Sequence, residues 1–125
     1  MPWSEQYALG VAEMDATHQE FMGLLDALLV APDAELPARF AELREHTRLH
    51  FENEAALMKA CRFPATGEHN SEHLRVLGEL AHFNRSLAAG RLAVVRQYAA
   101  GLPGWFNTHL VTMDAALAAC LKKAG

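Results

Sequence analysis

FAELREHTRLHFENEAALMKAC, the stretch from Phe40 to Cys61, carries Phe40, Leu43, Thr47, His50, Glu54, Leu57 and Cys61 at steps that alternate strictly between three and four residues. In a helix of about 3.6 residues per turn, that alternation lays all seven on one stripe. Most of the positions between them are polar or charged, so the stretch reads as one long amphipathic helix over residues 37–61, with Pro37 suited to its first turn. Its inner stripe is unusual in holding a histidine and a carboxylate, His50 and Glu54, where a bundle core places leucine.

The same alternation continues on both sides. Met14, His18, Phe21, Leu25 and Leu28 form a stripe upstream. His69, His73, Val76, Leu80, Phe83 and Leu87 form one downstream, followed by Leu92, Val95, Ala99, Leu102, Phe106, His109 and Met113. Breaks fall at Ala31-Pro32-Asp33-Ala34, at Arg62-Phe63-Pro64-Ala65 with Thr66 as an N-cap, and at Ala88-Ala89-Gly90. Helices are therefore expected over residues 15–30, 37–61, 67–88 and 91–111. Four amphipathic helices joined by short connections make an all-α, up-down-up-down antiparallel four-helix bundle. A short N-terminal arm precedes it and a short helix over Ala115 to Lys122 follows it.

Composition agrees. The 125 residues, 51% hydrophobic and 21% charged, suit one domain over 1–125 and exclude intrinsic disorder. Alanine occurs 23 times and isoleucine never, which favours helix over sheet. No apolar run is long enough to span a membrane, and a net charge of -4 without a Lys/Arg cluster gives no footprint for nucleic acid. The start, Met1-Pro2-Trp3-Ser4-Glu5, lacks the features of a secretion signal, so a cytoplasmic location is expected. Cys61 and Cys120 form no CxxC pair and are expected to stay free thiols.

The chemistry lies on the stripes. His18, His50, Glu54, His69, His73 and His109 all occupy inner positions. Burying one unpaired imidazole or carboxylate costs on the order of several kcal/mol, so six together need a shared partner. A metal centre supplies it, because a cation bonds imidazole nitrogen and carboxylate oxygen at once. His50 with Glu54, and His69 with His73, are i, i+4 pairs that place two ligands one turn apart on one face. His109 and Asp114 are five residues apart. A regular helix leaves them about 140° apart, so they meet one metal only if the helix ends or distorts between them. Asp114 is otherwise placed to N-cap the terminal helix. His46, one turn before His50 but off the stripe, reads as a surface residue.

These residues resemble the bacterial hemerythrins, a family of non-haem di-iron, O2-binding bundles. The resemblance runs from Trp3 to about Leu117 through Trp3, Tyr7, Leu9-Gly10-Val11 and Asp15-Ala16-Thr17-His18. It continues through His50-Phe51-Glu52-Asn53-Glu54, Leu57-Met58, His69 to His73, and Trp105 through His109 to Asp114. By that resemblance His69, His73 and His109 bind one iron, His18 and His50 the other, and Glu54 and Asp114 bridge the two. It also implies an oxo or hydroxo bridge between the irons and an open position for O2 on the iron with two histidines. Phe51, Trp105 and Phe106 would then line the centre. No side chain in such a scheme acts as nucleophile or general base, so the implied role is O2 storage, delivery or sensing rather than enzymatic turnover.

Two alternatives share the same centre: a redox enzyme reducing peroxide or nitric oxide, and a sensory or interaction module. Ferritin-like oxidase chemistry needs two ExxH units, and Glu79 to His82 is the single one available. The chain also departs from the pattern of the family it resembles. Ala55 follows the bridging glutamate where a second Glu is frequent, and Phe106 stands where Leu is usual, narrowing the expected pocket. Pro103 and Gly104 invite a kink just before it.

Overall fold

The computed structural model describes residues 2–124. Four long helices, α1 (Ala12–Leu29), α2 (Leu36–Cys61), α3 (Thr66–Ala88) and α4 (Leu92–His109), close a ring in which α1 packs on α2 and α4, and α3 packs on the same two. A π-helical turn, Leu110–Asp114, joins α4 to α5 (Ala115–Ala124), which packs on α2. The architecture is the all-helical, four-helix bundle read from the stripes, with boundaries shifted by one to three residues at most points.

The N-terminal arm holds one 3-10 turn, Glu5–Tyr7, and its Trp3, Tyr7 and Leu9 pack against the main core. The arm turns into α1 at Gly10, whose φ of +82° favours glycine. Asp15 fastens this turn by accepting hydrogen bonds from the Leu9 N–H at 2.7 Å and the Gly10 N–H at 3.2 Å. Gly90, at φ +78°, ends α3 as the sequence suggested, with the Gly90 and Arg91 N–H groups closing on Leu87 and Ser86 carbonyls.

Three local expectations change. Thr66 is the first residue of α3 rather than its N-cap, and its hydroxyl donates back to the Phe63 carbonyl at 2.6 Å, drawing the preceding turn closed. α4 runs unbroken through Pro103, and the irregularity expected there falls about two turns later, at Leu110–Asp114. Asp114 consequently does not cap a separate helix, because α4, the π turn and α5 follow one another without a break. The stripes also drift. A 3.5-residue repeat lags a 3.6-residue helix by about 20° per heptad. By the end of α2 it is therefore Met58, not Leu57, that is fully buried.

The core has layers. One apolar cluster gathers Leu25, Leu28, Leu36, Phe40, Leu43, Leu80 and Val95. A smaller one gathers Met14, Met58, Leu117 and Ala118. The buried histidines and acids lie between them. Along α1 the order is Met14, His18, Phe21, and along α2 it is Thr47, His50, Glu54, Met58. Thr47 needs no partner from the centre, since its hydroxyl donates to the Leu43 carbonyl at 2.7 Å.

Candidate metal centre

Five imidazoles and two carboxylates converge between the apolar layers, each at most 4% exposed. α1 supplies His18, α2 His50 and Glu54, α3 His69 and His73, and α4 His109, while the π turn ends on Asp114. All seven residues singled out in the sequence are thus brought together.

The two carboxylates divide the cluster. Glu54 Oε2 lies 3.3 Å from His18 Nε2 and 2.8 Å from His50 Nε2, while its Oε1 lies 3.1 Å from His69 Nε2 and 3.4 Å from His73 Nε2. Asp114 repeats the division, with Oδ2 at 3.2 Å from His18 and Oδ1 at 3.2 Å from both His69 and His109. Ligand atoms consequently fall into two groups able to hold a cation. One comprises Glu54, His69, His73, His109 and Asp114, and the other His18, His50 and Glu54.

The π turn explains how Asp114 reaches this place. Its i→i+5 hydrogen bonding brings residues five apart onto one face, as i→i+4 bonding does for residues four apart in an α-helix. Asp114 is fully buried five residues after His109, whereas Met113, the stripe position by α-helical counting, is only half-buried. Sequence geometry thus required a distortion between these residues, and the distortion is a one-residue widening of the helix rather than its end.

Electrostatics show what the centre seeks. Burial works to raise the Glu54 carboxyl, but hydrogen bonds with His18, His50, His69 and His73 outweigh it and hold the group well below the ordinary carboxylate range. Asp114, raised by burial and by the Glu54 charge, is likewise drawn down by His109, His18 and His69. Burial opposes protonation of His18 and His69, yet Asp114 and Glu54 together lift both to about 9. His73 is pushed down, chiefly by burial. Two ionised carboxylates therefore demand positive charge inside the bundle. Both Asp114 oxygens are buried without a hydrogen bond of good geometry, an arrangement that a cation between the helices would satisfy. The imidazole and carboxylate donor set fits iron and other divalent first-row metals.

Aromatic rings close the centre. Phe106 is stacked on Phe21 at 4.8 Å between centroids and meets His18 edge-on at 5.4 Å. Phe51 lies flat on His73 at 3.7 Å and 2°, and Trp105 is stacked on His109 at 5.0 Å and 22°. Outside, a groove of about 360 Å³ between α2 and α3 reaches Phe51 and His73, and another of about 230 Å³ reaches His69 beside the π turn.

His46 corrects the sequence reading. It is half-buried against Phe21 and His50 rather than on the surface, its Nδ1 lies 3.7 Å from Glu20 Oε2, and burial lowers its pKa. The signal was its position on the edge of the α2 stripe that faces α1. The contact of Trp105 with Glu72, 2.9 Å from the indole N–H to Oε1, was not read at all. Cys61 and Cys120 are free thiols, with the Cys120 thiol donating to the Cys61 carbonyl at 3.2 Å.

Residues 9–121 match the model of the hemerythrin HHE cation binding domain. A bacteriohemerythrin from Ralstonia nicotianae is 36% identical over 123 residues, covering 98% of this chain and 90% of that protein. The crystal structure of a wild-type hemerythrin superposes with a TM-score of 0.88 at 20% identity, covering 97% of each chain. A leucine-to-tyrosine hemerythrin variant gives 0.86 at 20% identity, covering 97% of this chain and 96% of that one. The chain belongs to the hemerythrin HHE cation-binding family.

Proposed function

We propose that this chain, working as one domain over residues 1–125, binds O2 reversibly at a carboxylate-bridged, non-haem di-iron centre. His69, His73 and His109 would hold one iron and His18 and His50 the other, with Glu54 and Asp114 spanning both. The observation that carries this reading is the division of each carboxylate, one oxygen toward each histidine group. A single metal gives no reason for two carboxylates to share their oxygens in this way.

Two ferrous ions would supply, between them, the two electrons that O2 takes up on binding and returns on release. The protein's own part is placement and exclusion. Glu54 and Asp114 offset the charge of two cations, and the convergent Nε2 atoms fix their positions. Phe106 and Phe21 form an apolar wall beside His18, on the side with two histidines, and bound the space where O2 would enter. Phe51 and Trp105 brace His73 and His109 on the opposite side. Every carboxylate and imidazole at the centre is engaged in the cluster, which favours a binding role over turnover of a substrate. No described helix is long and apolar enough to cross a membrane; the role proposed is that of a cytoplasmic store or carrier of O2.

Iron content tests the bridging roles. Wild-type protein should hold about two irons per chain, as di-iron bundles do, and Glu54→Ala and Asp114→Ala should each lose the paired uptake. Parent stoichiometry in both variants would overturn the bridging assignment.

A further inference from the structure

Metal-bound histidines are usually fixed by a hydrogen bond from the ring nitrogen that does not face the metal. Here the Nδ1 atoms of His18, His50, His69, His73 and His109 are buried and have no hydrogen-bond partner among the described residues. Two of the rings are held instead by flat aromatic stacks, His73 by Phe51 and His109 by Trp105. Phe51 is itself buried in the core and needs no further support. Trp105 is half-exposed on α4, so a stack formed by its ring is only as firm as whatever holds the ring.

That hold is visible on α3. The Trp105 indole N–H donates to Glu72 Oε1 at 2.9 Å. Glu72 is gripped in turn by Arg75, through Nη2 to Oε1 at 2.5 Å and Nε to Oε2 at 3.1 Å. Arg75 also reaches Glu79 at 2.5 Å, and Glu79 accepts from the Tyr98 hydroxyl at 3.1 Å. Two acids seven residues apart on α3 thus meet two aromatic donors seven residues apart on α4, with one guanidinium linking the acids. A spacing of seven returns to the same helix face after two turns, so the clasp follows one seam between the helices. Arg75 thus engages both Glu72 carboxylate oxygens, and the indole N–H shares one of them.

We infer that Glu72 is a positioning residue for the metal centre: by holding the Trp105 indole against His109 it sets the orientation of that imidazole. It touches no ligand position through its own carboxylate and acts through the ring. The inference rests on the di-iron reading for the presence of a metal at His109. It adds a residue outside the seven that converge on the centre.

The test compares Glu72→Gln, which keeps an oxygen acceptor and loses the charge, with Glu72→Ala, which loses both. In iron-loaded protein, Glu72→Ala should release iron to a chelator about tenfold faster, at the low end of what such supporting contacts contribute to metal affinity. Glu72→Gln should stay within about twofold of the parent. In metal-free protein, the Trp105 indole N–H resonance, assigned with a Trp3→Phe variant, should move in Glu72→Ala and hold its dispersion in Glu72→Gln. Placed on a Trp105→Phe background, where no indole donor remains, Glu72→Ala should add nothing to the release rate. Equal acceleration in the Gln and Ala variants would make the effect one of charge and overturn the inference. So would an undiminished effect of Glu72→Ala on the Trp105→Phe background, or parent-like release from Glu72→Ala at parent iron content. Parent protein that takes up no iron overturns the di-iron reading and this inference with it.

Discussion

Stripping the metal from this protein should leave a fold that weakens as the pH rises from 6.5 to 9, while the iron-loaded fold should not. In metal-free protein the positive charge facing Glu54 and Asp114 includes the protons on His18 and His69, both lifted from 6.5 to about 9 by those carboxylates. A group whose folded pKa exceeds its unfolded value gives stability that is complete below the unfolded value and lost as the pH passes the folded one. The loss therefore begins near 6.5 and is complete above about 9. For His18, a rise from 6.5 to about 9 corresponds to about 3 kcal/mol at roughly 1.36 kcal/mol per unit. In a domain of this size that moves Tm by about 10 °C. The carboxylates work in the other direction. Glu54 and Asp114 are held low, so their contribution is present above their ordinary values of 4.5 and 3.8 and is lost in acid. Iron displaces the imidazole protons and binds the folded state, which removes the alkaline slope and adds stability by mass action. Thermal unfolding followed by circular dichroism at pH 6, 7, 8 and 9, with and without iron, reads both effects. Parallel profiles for the two forms, or metal-free protein that gains stability across this interval, would refute the reasoning.

Other perturbations test separate parts of the account. Phe106→Leu should lengthen the lifetime of the oxygenated form at unchanged iron content, because a rigid ring crowding a fixed site typically costs about 1 to 3 kcal/mol. Decay of the oxygenated absorption band at one pH measures it, and an equal or shorter lifetime removes Phe106 from the pocket. Inserting one alanine after the exposed Val111 should turn Asp114 about 100° away from the centre and lower iron content, since one residue is one step of the helix; full iron content in that variant would disprove the account of the π turn. Met58→Ala, at a fully buried position beside Met14 and Leu117, should cost about 2 to 5 kcal/mol in denaturant unfolding while leaving the iron count intact.

Much of this was legible because stripe periodicity and ligand chemistry point the same way. His50 with Glu54 and His69 with His73 are spaced for one helix face, and both pairs are found facing inward. The last helix was harder. Arithmetic at 3.6 residues per turn shows that His109 and Asp114 cannot share a face of a regular helix, but not how the chain resolves the conflict. Proline and glycine drew attention to Pro103 and Gly104, and a π turn carries no such marker in LVTMD. Residue type alone would also make Asp114 an N-cap, but it lies in the buried centre within the π turn. His46 was misplaced because a stripe drawn one residue wide ignores its flanks, where a long side chain packs between α1 and α2. The Glu72–Trp105 contact joins different helices along their partly exposed seam, where charged residues look alike in sequence whether or not they meet a partner.

The central claim is reversible O2 binding at a pair of irons, and the most direct measurement is iron per chain together with the optical spectrum of the reduced protein before and after air. The account predicts about two irons per chain, with an iron charge-transfer band that appears in air and disappears when O2 is removed. Protein that carries no paired iron, or a band that never reverses and accompanies turnover of added peroxide, would contradict it.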